Sequence, residues 1–273
     1  MAFRLFDYQS SGKGVSKAAP QKKPFFKYWE IFGRKFWKLI ELNMLYIVFC
    51  IPVITFGPAT AALTHVMRKF ILEQPCFVFD EFFTAFKKNF RQSVFIGIID
   101  VILIVSVGIA GFQFFMSATL PEGSLVFICI LICCATLVFM MHFYIYLEIV
   151  ALNLSLGAIL KNSVFLVFLG VKRNFLALVI NLTIITLIAL FLPFSVFVVI
   201  FFPLSIMCFT TTFICYPVIQ KYVINPYYEE RGERNPELGI TEEDVAENAV
   251  FVDRGGTEKE IKAAPKARGK VIK

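Results

Sequence analysis

Charged residues are scarce in this chain, and histidine is scarcer still. Aspartate, glutamate, lysine and arginine make up 17% of the 273 residues, whereas 58% of them are hydrophobic. Because soluble domains carry about 25% charged residues, this composition excludes an ordinary water-soluble fold. The 33 phenylalanines lie mostly in long apolar runs, which indicates a helical membrane protein that crosses the bilayer several times.

Sequence motifs for catalysis are also missing. The chain has no glycine-rich phosphate loop, no HExxH zinc motif and no GxSxG nucleophile motif, and it contains only two histidines. Its seven cysteines lack the paired spacing of a metal site or a disulfide framework. We therefore expect a non-enzymatic protein with no catalytic residues, no metal-binding residues and no cofactor.

Six apolar runs are candidates for membrane crossings. A hydrocarbon core about 30 Å thick needs roughly 20 apolar residues of helix. The predicted spans are residues 38–52, 58–74, 93–116, 125–148, 174–192 and 195–218. The second run is short, because a helix over its length extends about 25 Å at 1.5 Å per residue. Pro58 favours a helix start there, since the first turn of a helix needs no N–H from it.

The distribution of lysine and arginine decides whether that short run crosses. Nine of them precede residue 39, five lie in 57–93, three in 149–175 and ten after residue 220, whereas the loop at 117–124 has none. Only a crossing at 58–74 puts all basic segments on one face, as cytoplasmic loops require. We therefore predict an all-α bundle of six transmembrane helices in the cell membrane, with both termini in the cytoplasm.

Amphipathic segments flank these spans on the predicted cytoplasmic side. Residues 25–43 interleave tryptophan and phenylalanine with basic residues, and residues 82–91 repeat phenylalanine at helical spacing opposite lysine and arginine. We expect both segments to lie in the interface and bind anionic lipid, and we expect no binding to nucleic acid. Residues 1–24 form a basic tail, and the charged tail at 229–273 is expected to be disordered.

Several motifs carry a family likeness. They include CIPVITFGPATAAL at 50–63, FFTAFKKNFRQS at 82–93 and GVKRNFLAL at 170–178. On these motifs the chain resembles the YesL-like family of bacterial membrane proteins, whose domain of unassigned function would occupy residues 25–228. Because members of that family look to be encoded beside carbohydrate uptake genes, the resemblance implies an accessory part in oligosaccharide uptake. The implied partner is the permease or the ATPase of a sugar ABC transporter.

Ionisable residues within the predicted spans are candidates for a functional site. They cost about 2.5 to 3.5 kcal/mol each on insertion scales. The three candidates are Asp100, His142 and Glu148. In the six-crossing layout all three lie in the same half of the membrane, where a carboxylate beside an imidazole would relay protons or contact a polar solute or ion. The structural alternative pairs Glu148 with Lys161 or Lys172 at the interface, and His142 with Tyr146.

Two other segments are candidates for functional contacts. The predicted helix break at Pro52, Gly57 and Pro58 is either a solute-lining discontinuity, as found in transporters, or a tight extracellular turn. The loop at 153–174 is predicted to be a cytoplasmic amphipathic helix that contacts a partner protein. Its candidate contact residues are Gly157, Lys161, Asn162, Lys172 and Arg173.

Overall fold

The structure is a computed structural model that describes residues 23–116 and 124–233, together with residues 235 and 237. These residues are about 88% helical and contain no strand, so the predicted all-α class is confirmed for this part of the chain. The predicted tails lie largely outside the described residues. The helices are α1 (Pro24–Cys50), α2 (Phe56–Ile71), α3 (Val78–Met116), α4 (Ser124–Ala151), α5 (Leu156–Leu169), α6 (Val171–Leu190), α7 (Ser195–Phe201), α8 (Pro203–Ile219) and α9 (Asn225–Glu230).

Among the described residues, four helical segments are long and apolar enough to cross a membrane. They are Val78–Phe112, Ile132–Ala151, Val171–Leu190 and Pro203–Glu230, and they correspond to the last four predicted spans. The outward side of α3 is apolar, as expected for contact with lipid: Ile102 is 59% exposed and Ile109 is 54% exposed. The chain is therefore a helical membrane protein. The two other predicted crossings fall in α1 and α2, and the total of six remains a prediction.

Two predicted interfacial segments are continuous with the spans that follow them. α1 begins with Pro24 at its first position and runs for 27 residues through the amphipathic segment into the apolar run. α3 runs for 39 residues, with Asp80 and Glu81 in its first turn, where acidic residues favour a helix N-terminus. No proline interrupts either helix after its first turn, so nothing in the sequence separates the interfacial part from the span.

The predicted span at 195–218 is interrupted, which corrects the prediction of one continuous helix. α7 ends at Phe201, and α8 begins at Pro203. Proline lacks the N–H that would continue α7, but it is well suited to start a new helix. A second proline, Pro217, lies inside α8 and is followed by a π-helical turn, Gln220–Ile224, that leads into α9.

α2 lies at the centre of the helical assembly. It has 16 residues, of which 11 are buried, and it packs against α1, α3, α4 and α8. Two glycines, Gly57 and Gly97, allow α2 to pack closely against α3 in this central position. A Cβ atom on Gly57 would lie 2.0 Å from the backbone oxygen of Ser93, and one on Gly97 would lie 2.5 Å from the backbone nitrogen of Gly57. The α2 and α3 backbones are therefore in direct contact at these two glycines.

A short 3₁₀ turn, Val53–Thr55, connects α1 to α2. Pro52 is exposed in this connection, and the Thr55 hydroxyl caps it by donating to the carbonyl oxygens of Phe49 and Pro52, at 2.5 and 2.6 Å. The two other residues of the predicted break, Gly57 and Pro58, are buried within α2. The helix begins at Phe56, two residues earlier than predicted, because the 3₁₀ turn leads directly into it.

Candidate functional site

Asp100 connects α3 to α4 inside the predicted membrane layer. Its side chain is buried, and each of its two carboxylate oxygens has a partner on α4. The Oδ1 atom contacts Nε2 of His142, and the Oδ2 atom accepts a hydrogen bond of 2.5 Å from the Tyr146 hydroxyl. Because His142 and Tyr146 lie one turn apart, both reach the same residue on α3. Asp100 and His142, two of the three predicted site residues, are thus in contact. Tyr146 also contacts Asp100, whereas the sequence had suggested only a bond between Tyr146 and His142.

The hydrogen bonds around His142 limit where its protons lie. The Nδ1 atom is 2.9 Å from the carbonyl oxygen of Val138. A carbonyl oxygen only accepts hydrogen bonds, so Nδ1 carries a proton. The contact between Nε2 and Asp100 must then contain one further proton, either on the imidazole or on the carboxyl group. We call Asp100, His142 and Tyr146 the Asp100 triad.

The triad is electrically neutral whichever group holds that proton. An imidazolium beside a carboxylate has no net charge, and neither has a neutral imidazole beside a carboxylic acid. Neutrality matters here because an isolated charge is strongly disfavoured at low dielectric. The proton can therefore move between Asp100 and His142 without placing a net charge in the lipid.

Glu148 does not belong to this cluster. It lies six residues after His142 on α4, which rotates it by about 120° away from the triad. It is completely buried, and neither of its carboxylate oxygens has a hydrogen-bond partner among the described residues. Glu148 does not form the predicted pair with Lys161 or Lys172, and both lysines are exposed. An ionised carboxylate in such a position is costly, so Glu148 is best accommodated in its protonated form.

The predicted helix break and the Asp100 triad are close neighbours. Gly57, at the start of α2, contacts Gly97 of α3, and Gly97 lies three residues before Asp100. Ala61, one turn further along α2, belongs to the same apolar cluster as Tyr146. Any change in how α2 packs on α3 will therefore act on Asp100.

A second buried polar network joins α4, α5, α6 and α8, and sequence reasoning missed it. The Tyr144 hydroxyl donates to Oδ1 of Asn174, and Nδ2 of Asn174 donates to the carbonyl oxygen of Val167 at 2.9 Å. The Cys215 thiol lies 3.8 Å from the same Oδ1 atom. A Cβ atom on Gly170 would lie 2.5 Å from the Tyr144 oxygen, which explains the glycine there. The sequence feature that could have revealed this network is Asn174, a polar residue at the start of a predicted apolar span.

A third polar cluster ties the end of the described chain to α2 and α8. Nε of Arg68 donates to the Tyr216 oxygen at 2.7 Å, and both side chains contact the carboxylate of Glu237. The neighbouring Lys69 pairs with Glu81 of α3 at 2.5 Å. The basic pair at the end of α2 is thus neutralised by acidic side chains, which sequence spacing alone does not reveal.

The predicted partner-contact residues lie on an exposed surface formed by α5 and the start of α6. Gly157, Lys161, Lys172 and Arg173 are exposed, and Asn162 is partly buried. A helix is present in this segment as α5, which ends at Leu169, and Gly170 separates it from α6. A cavity of about 390 Å³ adjoins this surface. Among the described residues, no group of three or more potential ligands could hold a metal ion.

Comparison with known protein families gives a match over part of the chain. Residues 39–110 match the model of a family described as "Protein of unknown function, DUF624". This region contains the helix break, all of α2 and Asp100, whereas His142 and Glu148 lie beyond it. No curated protein and no solved structure is significantly similar to the chain. The family description names no activity.

Proposed function

We propose that this protein is a transporter with six membrane crossings that moves a small solute or ion and exchanges protons at Asp100 and His142. The observation that carries the proposal is the Asp100 triad, in which a buried carboxyl group and an imidazole share one proton between two helices. Ionisable residues inside a membrane are rare and usually functional. The six crossings follow from the distribution of basic residues, and the central position of α2 supports a second, short crossing.

The proton content of the triad sets the strength of the contact between α3 and α4. With one shared proton, the ion pair and the Tyr146 hydrogen bond hold the two helices together. A second proton leaves an imidazolium beside a neutral acid, which removes the ionic attraction. The two helices then separate more easily, and this change of packing opens the path of the solute. Glu148, which is buried and has no hydrogen-bond partner in the described part of the chain, is the second proton or solute contact.

The test is proton flux into proteoliposomes, measured with an internal pH-sensitive dye under an imposed pH gradient. We expect Asp100→Asn and His142→Ala each to lower the flux at least about tenfold, a typical contribution of a proton-transfer group. The matched control is Asp80→Asn, which makes the same change at an exposed position on the same helix. Wild-type flux in both variants would rule out the triad as the proton site.

A second candidate function is an accessory role beside a sugar ABC transporter. It is favoured by the exposed basic surface of α5 and α6, which includes Lys161 and Arg173 and is suited to an acidic partner surface. It is also supported by the resemblance to YesL-like proteins, which carry the DUF624 domain.

Co-purification in mild detergent tests this second function. We expect the permease or the ATPase of a sugar ABC transporter to accompany the tagged protein, and Lys161→Glu to weaken that association by reversing a surface charge. Isolation of the protein without such a partner would count against the accessory role. The outcome does not depend on the proton-flux assay, so the two functions can be distinguished.

A further inference from the structure

Four cations near the predicted cytoplasmic ends of α1 and α2 have acidic partners. Glu73 pairs with Arg34 at 2.5 Å and with Lys27 at 3.6 Å. Arg68 and Lys69, at the end of α2, pair with glutamates as described above. These pairs neutralise four of the cations that α1 and α2 contribute.

Three of the cations that have no acidic partner in the described part of the chain lie close together around one cavity. They are Lys172 and Arg173 in the first turn of α6 and Lys221 in the π-helical turn after α8. All three line the cavity of about 390 Å³, together with Leu169, Gly170 and Tyr222. Three positive charges around one cavity repel one another, so an anion inside it is strongly favoured.

The position of this cavity matches the headgroup layer of a membrane. Lys172 and Arg173 begin the candidate span Val171–Leu190, and Lys221 follows the apolar part of the candidate span Pro203–Glu230. Beside the cations lie apolar side chains that are themselves exposed, among them Leu169 and Phe175. A site with cations on one side and exposed apolar residues on the other is suited to an amphipathic ligand.

A shallow groove of about 340 Å³ lies further along α6. It is lined by Val179, Leu182, Thr183, Thr186 and Leu187. Thr183 lies eleven residues after Lys172, a separation that places both on the same face of the helix. The two residues are about 16 Å apart along the axis at 1.5 Å per residue, which is about half of a 30 Å hydrocarbon core. The groove is therefore placed where an acyl chain would lie if its phosphate occupied the cavity.

We propose that this cavity and groove bind one phospholipid with an anionic headgroup. The phosphate contacts Lys172, Arg173 and Lys221, and an acyl chain follows the groove on α6. A zwitterionic headgroup is disfavoured, because its choline or ammonium group would be repelled by the same three cations. The site shares the membrane placement of the proposed function, but it does not depend on proton transfer at Asp100.

The test is lipid binding to the purified full-length chain, measured by native mass spectrometry with added dioleoylphosphatidylglycerol or dioleoylphosphatidylcholine. The variant replaces Lys172, Arg173 and Lys221 together by glutamine. Because each cation near an anionic lipid contributes severalfold to affinity, we expect phosphatidylglycerol to bind it at least about tenfold more weakly. The weak binding of phosphatidylcholine should not change.

The matched control replaces Lys87, Lys88 and Arg91 of α3, which are equally exposed, by glutamine. We expect it to weaken phosphatidylglycerol binding much less than the first variant does, because these three residues contact lipid only at the general interface and line neither the cavity nor the groove. If both triple variants lost phosphatidylglycerol binding equally, the binding would come from general surface electrostatics and not from a site. If the first variant lost no binding, the proposal would also be overturned.

Two further experiments show whether the bound phosphate belongs to a lipid or to a soluble molecule. Thr183→Trp fills the groove, so it should weaken phosphatidylglycerol binding severalfold and leave glycerol phosphate binding unchanged. If glycerol phosphate binds the wild type as tightly as the lipid does, the ligand is a soluble phosphate and the lipid assignment is wrong. The Asp100→Asn variant should still bind phosphatidylglycerol. Failure of the transport proposal can therefore be distinguished from failure of the lipid proposal.

Discussion

Asp100 and Glu148 are both buried carboxyl groups, but their surroundings differ completely. Asp100 has a partner for each oxygen, whereas Glu148 has none among the described residues. A buried ionisable residue inside a membrane is costly, and such residues usually have a function. The two residues should therefore respond in opposite ways to the same apolar substitution.

We expect Glu148→Leu to raise the stability of the protein by about 1–3 kcal/mol, because it removes a buried polar group without a partner. Asp100→Leu should instead lower stability by about 3–5 kcal/mol, because it leaves His142 buried without its counter-charge. Thermal unfolding in detergent measures both. A loss of stability in Glu148→Leu equal to that in Asp100→Leu would mean that Glu148 has a binding partner in the folded protein.

How far the sequence predicts the site depends on how unusual each residue is in its context. Asp100 and His142 stand out, because ionisable residues are rare in apolar runs. Tyr146 does not stand out as a partner of Asp100, since tyrosine is common in membrane helices. The isolation of Glu148 depends on the rotation of α4 against its neighbours, which hydrophobic periodicity does not determine when the helix is apolar on most sides.

At the scale of elements, the contact between α2 and α3 controls the position of Asp100. The two helices meet at Gly57 and Gly97, where a Cβ atom would overlap with backbone atoms. Backbone atoms cannot move aside as a flexible side chain can, so a larger residue has to separate the helices.

We expect Gly97→Ala to destabilise the protein by about 1–3 kcal/mol, a typical effect of overpacking, and to lower proton flux by displacing Asp100. Gly108→Ala is the matched control on the same helix, because nothing lies within 4 Å of its added methyl group. That variant should be neutral or slightly stabilising, since alanine favours a helix over glycine by about 0.5–1 kcal/mol. Equal stability of the two variants in a thermal unfolding assay would contradict the close helix contact.

Helix ends were predictable only where one residue type dictated them. Pro24 and Pro58 lie in first turns, as their chemistry requires. Pro203 also starts a helix, but the apolar run continues through it, so composition alone predicted one span where α7 and α8 are separate. The merging of interfacial segments with spans in α1 and α3 could not be predicted, because both parts have helical periodicity and no residue between them ends a helix.

At the scale of the whole molecule, the six-crossing layout depends on the direction in which each helix crosses. If α1 and α2 both cross, the polypeptide folds back at the turn around Pro52, and every basic segment lies on the cytoplasmic side. The described structure places α2 at the centre of the helices, which is where a crossing helix would be surrounded by its neighbours.

We expect reporter proteins fused separately to the N-terminus and the C-terminus both to report a cytoplasmic location. Alkaline phosphatase, which is active only outside the cytoplasm, should be inactive at both ends, and a fluorescent protein should be bright at both. A reporter inserted after residue 120 should behave in the opposite way. Ends on opposite sides of the membrane would mean an odd number of crossings and would require a new layout.

The measurement that tests the central claim most directly is the ¹⁵N spectrum of His142 in the membrane. The chain has two histidines, so His65→Gln leaves His142 as the single ring to observe in reconstituted bilayers. We predict a proton on Nδ1 and a second, shared proton at Nε2, and we predict that Asp100→Asn converts Nε2 to an unprotonated nitrogen. A ring spectrum that Asp100→Asn leaves unchanged would contradict the shared proton.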